Sequence, residues 1–154
     1  MEFKRVVITG VGTINPLGNS TQEYWENLKK GVSGAGPITH FDASKHATQF
    51  ACEVKDFDPL VYMEKKEIRK YDLYTQYALA SSAQAIDDCQ LDLEKTDLNR
   101  IGVIWGAGIG GLQTFHEEER AYKEERPRFS PFFIPKMIAN IAGGLISIRY
   151  GFRG

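Results

Sequence analysis

Long apolar runs are what this sequence most lacks, and that removes the membrane classes first. The greasiest stretch, residues 138–148, is interrupted by Asn140, Gly143, Gly144 and Ser147. It falls well short of the roughly 20 apolar residues a spanning helix needs. Near the start, Val6-Val7-Ile8 follows Lys4-Arg5, but Gly10, Gly12 and Pro16 break the run and no small-x-small cleavage site follows. That argues against a secretory signal. Cysteine is scarce: Cys52 and Cys89 make no CxxC pair, which suits a reducing compartment and predicts a cytoplasmic protein. Net charge is nearly absent too, at −1, so nucleic acid is not expected as the main partner. His40, His46 and His116 share no ligand spacing with one another or with the cysteines, so no metal site is predicted.

The common catalytic signatures are missing as well. There is no Gly-x-Ser-x-Gly elbow, no phosphate-binding Gly-Lys-Ser/Thr and no His-Glu-x-x-His. Cys89 falls at the end of a predicted helix, where the dipole disfavours a thiolate, and reads as a small core hydrophobe. Cys52 stands beside an acid, Glu53. Neither reads as a nucleophile, so no catalytic residue and no cofactor is expected within these 154 residues.

What the sequence does have is a glycine-rich joint at 101–111. A short apolar run (Ile101, Val103, Ile104, Trp105) meets Gly106, Gly108, Gly110 and Gly111, and a helical pattern over 112–122 follows. A strand turning through glycines into a helix is the basic joint of α/β proteins. Glycine permits positive φ and close approach, so a ligand, a neighbouring chain or another packed backbone is expected against this loop. Gly106-x-Gly108-x-x-Gly111 also matches the dinucleotide fingerprint, which needs an acid ending a second strand about 20 residues later. That place holds Phe129-Ser-Pro-Phe-Phe-Ile-Pro135, with no acid, so nucleotide binding is only a remote alternative.

Elsewhere, Arg5-Val-Val-Ile-Thr9 reads as a buried strand. Ser20 and Glu23 have capping-box spacing, opening a helix with Tyr24, Trp25 and Leu28 on one side that stops at Gly31. Residues 31–70 are irregular, with a possible strand at 50–54. Lys65, Lys66, Arg69 and Lys70 form a basic cluster that is either a solvated helix end or a partner surface. Residues 71–89 make the strongest helix, and Ala78, Ala80, Ser81, Ser82, Ala83 and Ala85 make it narrow enough to be central. An exposed charged turn at 123–128 precedes the three phenylalanines of 129–135, which form either a contact surface or a loop tucked over the core. A last helix over 136–149 presents Ile138, Ile141, Leu145 and Ile148, is weakened by Gly143-Gly144, and ends at Gly151. At most three strands against four or five helices cannot cover this many apolar faces. The count predicts the leading part of a larger α/β protein, with an open sheet edge and exposed apolar surface.

Several of these motifs, in this order, resemble the β-ketoacyl-acyl-carrier-protein synthases, the condensing enzymes of fatty acid synthesis. They are Arg5-Val-Val-Ile-Thr-Gly-x-Gly with Pro16-Leu-Gly18, Phe41-Asp42, Lys66-Glu-x-Arg-Lys70, Gly106-Ala-Gly-Ile-Gly-Gly111 and Ser130-Pro-Phe-Phe-Ile-Pro135. Ile109 and the Pro-Phe-Phe run look most like the type II synthases.

The resemblance implies a thiolase-like fold, here the incomplete first half of an αβαβα layered arrangement, acting as a homodimer. It implies decarboxylative condensation: an acyl group moves from acyl carrier protein to a cysteine, malonyl-carrier protein loses CO2, and the carbanion attacks the thioester. The cysteine and two histidines of that reaction lie beyond the segment that matches this chain, so the chain alone is expected to be inactive. Within it, the family's pattern makes Ile109 and Phe133 acyl-pocket residues, Phe133 reaching the partner subunit's pocket. It makes Lys66, Arg69, Lys70 and Arg128 a basic surface for the acidic carrier protein. The chain departs from that pattern at Phe129, which stands at a neighbouring basic position. A polyketide-type condensing enzyme and a non-catalytic chain-length-factor-like subunit are the related alternatives.

Overall fold

Residue 72 starts the element on which the others are hung. In the computed structural model, which describes residues 4–124 and 127–154, Asp72 caps the long helix by accepting the Tyr74 N–H at 3.1 Å. In chain order the elements are α1 (Thr21–Lys29), β1 (Gly36–Pro37), β2 (Phe50–Ala51), α2 (Lys65–Ile68), α3 (Leu73–Asp88), α4 (Leu112–Glu124), α5 (Phe133–Met137) and α6 (Ile141–Tyr150). Two 3-10 turns, Pro59–Val61 and Leu98–Arg100, join them.

Helix α3 is central, as its small residues predicted. Thr75, Ala78, Leu79 and Ala80 are buried, and α6 lies against it through Ala142 and Ile146. Its small outer face serves the first glycine pair. A Cβ on Gly10 would come within 2.3 Å of the Ala85 carbonyl oxygen, and one on Gly12 within 2.0 Å of the Ser81 oxygen. The chain is held there by Val11 N–H donating to Asp88 at 2.8 Å and Thr13 N–H donating to Gln84 at 3.1 Å. Gly10-x-Gly12 therefore exists so that backbone can lie on helix.

Helix α1 begins as predicted, with Ser20 Oγ accepting from the Glu23 N–H at 3.1 Å. The return bond reaches one residue further back, from Asn19 N–H to the Glu23 carboxylate at 2.8 Å. Gly31, at φ +67°, ends it. Phe50 joins β2, antiparallel to β1 in the pairing Pro37–Phe50.

Three expectations need correction. Residues 5–9 and 101–105 are not buried strands: neither run is paired in a sheet among the described residues. Val6 is 90% exposed, Ile8 87% and Ile104 fully so. A strand is stabilised by a neighbour's N–H and C=O groups and by covered faces; among the described residues no ladder forms along either run, 5–9 is exposed throughout, and at 101–105 Ile101 and Val103 are half-buried, Val103 against the core. Ile101 is also held by backbone, its carbonyl accepting the Gly154 N–H at 2.9 Å. The apolar surface expected is thus present, and the open sheet is the two-stranded β1–β2 pair, not one built from these runs.

The helix expected over 136–149 is two helices. Ile138 turns to extended backbone (ψ 130°) after α5, and α6 restarts at Ile141. The apolar spacing of Ile138, Ile141, Leu145 and Ile148 therefore runs across a break. Gly151, at φ +73°, closes α6 where expected. Of the charged turn expected at 123–128, Lys123 and Glu124 belong to the last turn of α4 instead, and Glu125 and Arg126 lie outside the described residues.

Candidate functional site: a basic helix beside an aromatic loop

The glycine joint is met by backbone. A Cβ on Gly110 would stand 2.5 Å from the Met137 carbonyl oxygen, and one on Gly111 2.4 Å from that of Lys136. Gly110 also needs φ +81°, and Gly111 N–H donates to the Met137 carbonyl at 3.0 Å. The end of α5 thus fills one side of the turn with carbonyl oxygens, a poor setting for a phosphate. Gly106 and Gly108 have open space around them, and Ile109 between the two halves is 70% exposed. A buried bond, Thr114 Oγ to the Asp72 carboxylate at 2.5 Å, fixes the first turn of α4 to the cap of α3.

The aromatic loop is tied down at Ser130. Its N–H donates to the Glu118 carboxylate at 2.9 Å, its Oγ accepts from Phe132 N–H, and its carbonyl accepts from Phe133 N–H. Phe133 then opens α5, half-buried. Its ring lies parallel to Phe129 at 4.9 Å, and Phe129 in turn lies parallel to Tyr122 at 4.9 Å. Phe115 closes the row, 6.1 Å from Phe133.

Helix α2 carries the basic cluster. Glu67 faces inward to Arg149 of α6 at 3.4 Å, and the same guanidinium donates to the Tyr62 carbonyl at 3.1 Å. That anchor leaves Lys66, Arg69 and Lys70 exposed. Lys66 pairs with Glu64 at 2.7 Å. Their hydrogen bond holds the lysine above its ordinary pKa and the carboxyl below its own, so both stay charged around neutrality. Lys70 reaches the aromatic loop, its Nζ lying 5.7 Å from the centre of the Phe132 ring. Arg128, also exposed, precedes Phe129.

The structure therefore brings the basic cluster and the aromatic loop together at Lys70, just past α2, and joins the glycine joint to the loop through α5. The cluster is a solvated helix end whose last lysine lies beside an aromatic ring. Reading the sequence missed the Glu67–Arg149 pair, because no local signal links residues 82 apart. It also missed Asp72, although an acid just before the helical pattern is an N-cap signal. Cys52 is exposed; Cys89 is half-buried and donates to the Ile86 carbonyl. Among the described residues, no three acidic, histidine or cysteine side chains gather as a metal site, and no helix is long and apolar enough to cross a membrane.

Comparison with known proteins shows the family. A family model described as the β-ketoacyl synthase N-terminal domain matches residues 3–154. The 3-oxoacyl-[acyl-carrier-protein] synthase 2 of Synechocystis sp. is 45% identical over the whole chain, and that of Coxiella burnetii 46%. The chain spans 37% of the length of each. Among solved structures, a type II polyketide acyl-carrier protein in complex with its ketosynthase bound to the hexaketide matches with a TM-score of 0.78 and 28% identity, over 98% of this chain and 40% of that one. The ishigamide ketosynthase/chain length factor matches at 0.77 with 27% identity, over 95% and 37%. The neighbours share the thiolase-like α/β fold expected from the sequence, and the chain accounts for about 40% of such a molecule.

Proposed function

Because the chain belongs to the β-ketoacyl synthase family, as its N-terminal domain, we propose that it forms the amino-terminal part of a 3-oxoacyl-acyl-carrier-protein synthase of type 2. The complete enzyme elongates fatty acids by decarboxylative Claisen condensation. An acyl group is passed to a cysteine thiol, malonyl-carrier protein releases CO2, and the carbanion left behind attacks the acyl carbonyl and expels the cysteine thiolate. This segment binds and orients; the thiol and histidines belong to the remainder. Lys66, Arg69, Lys70 and Arg128 receive the acidic carrier protein, while Ile109 and Phe133 line acyl pockets in a cytoplasmic homodimer.

One observation carries the reading: Lys70 lies against Phe132, so the surface suited to a carrier protein adjoins the loop suited to its acyl chain. A basic patch mainly steers encounter and orientation, and apolar rings take the chain it delivers. The higher identity to the 3-oxoacyl-[acyl-carrier-protein] synthases 2 (45–46%) than to the ketosynthases of the solved structures (27–28%) favours the first class. The test is to supply the complete gene product with acyl- and malonyl-carrier proteins. The expected result is one 3-oxoacyl-carrier thioester and one CO2 per turnover. Formation of neither product would favour the non-catalytic chain-length-factor-like alternative, and CO2 release without carbon–carbon bond formation would reject the assignment.

A further inference from the structure

Phe129 is the middle ring of the aromatic loop's row. Phe129 lies between Tyr122 and Phe133, parallel to each within 14° and 4.9 Å from both. Its outer neighbour stands on α4, and its inner neighbour is the first residue of α5. The same loop is fixed at Ser130 by the Glu118 carboxylate of α4, so backbone and ring are both referred to one helix. Phe115, also on α4, meets Phe133 tilted by 31°.

We infer that Phe129 is a positioning residue that clamps Phe133 against α4 and thereby sets the acyl-chain length the synthase prefers. The inference rests on the reading of Phe133 as an acyl-pocket residue. A ring held on one face by Phe129 and approached by Phe115 has few rotamers open to it, whereas a ring freed on one face can swing. A pocket wall discriminates between chains only if it is held still, because methylene-level selectivity depends on where that wall stands.

The experiment compares kcat/KM for short and long acyl-carrier substrates in the complete protein. Phe129→Ala is expected to flatten the short-to-long preference about tenfold, and Phe129→Tyr, which keeps the ring, to retain it. The KM for malonyl-carrier protein should stay within about twofold of wild type throughout. Phe133→Ala should flatten the preference equally, and the double variant no further. Phe129→Leu, milder in volume, serves if Phe129→Ala fails to fold. If Phe133→Ala flattens the preference and neither Phe129→Ala nor Phe129→Leu does, the clamp is overturned while the role of Phe133 stands. If Phe133→Ala itself changes nothing, the pocket role of Phe133 fails and takes the clamp with it.

Discussion

Gly12→Val is expected to cost the complete protein about 3 kcal/mol or more, and in cells to strip most of it from the soluble fraction. Even the first added carbon would stand 2.0 Å from the Ser81 carbonyl oxygen and 2.7 Å from the Ala85 nitrogen. Both are backbone atoms of α3, so no side chain can swing aside. The 10–13 segment would have to lift off the helix. It would take with it the Thr13 N–H bond to Gln84, whose amide also donates to the Asn19 carbonyl and the Tyr62 hydroxyl at 2.8 Å each. Gly36→Ala is the control. Nothing lies within 4 Å of its Cβ position, and the change should stay within about 0.5 kcal/mol. Urea denaturation of both variants reads the difference; equal midpoints would show that the close approach of the 10–13 segment to α3 is not needed.

The second large effect is on carrier-protein traffic. Lys66→Glu combined with Arg69→Glu should lower kcat/KM for carrier-bound substrates about 10- to 100-fold at low salt. Turnover of small thioesters should stay within about twofold. The loss should shrink as salt rises, because exposed charges are screened within about 8 Å at physiological ionic strength. The effect should also be flat across neutral pH. A lysine held above its ordinary pKa keeps its charge as pH rises, and a carboxyl held below its own keeps its charge as pH falls. Neither member of the Glu64–Lys66 pair therefore titrates between about pH 6 and 9. Equal losses with carrier-bound and small substrates would mean that the reversal damages folding rather than docking.

How much of this was legible depends on how local the cause is. Helix α3 announces itself through its run of small residues, and α1 and α6 through Ser20, Gly31 and Gly151, because caps and stops act within a few residues. The glycine joint was legible as a place of close approach. Its neighbour was not, since the Lys136 and Met137 carbonyls arrive from α5, itself hidden inside a longer apolar period. The break at 138–140 defeated periodicity because two helices happened to continue one another's spacing. Residues 5–9 and 101–105 have the composition of strands, but composition cannot provide a neighbour to pair with. Of the site, the residue types were readable; the Lys70–Phe132 contact and the ring stack through Phe129 were not, because both are made by folding.

Those two unpaired runs carry the central claim, that the chain is the amino-terminal part of a larger layered α/β molecule. Hydrogen–deuterium exchange at the amides of 5–9 and 101–105, compared between the complete gene product and residues 1–154 alone, tests it. Protection is expected to be at least about a thousandfold in the complete protein, as for strands inside a sheet, and nearly absent in the isolated chain. Equal exchange in the two would show that nothing beyond these residues covers Val6, Ile8 and Ile104, and the account would fail.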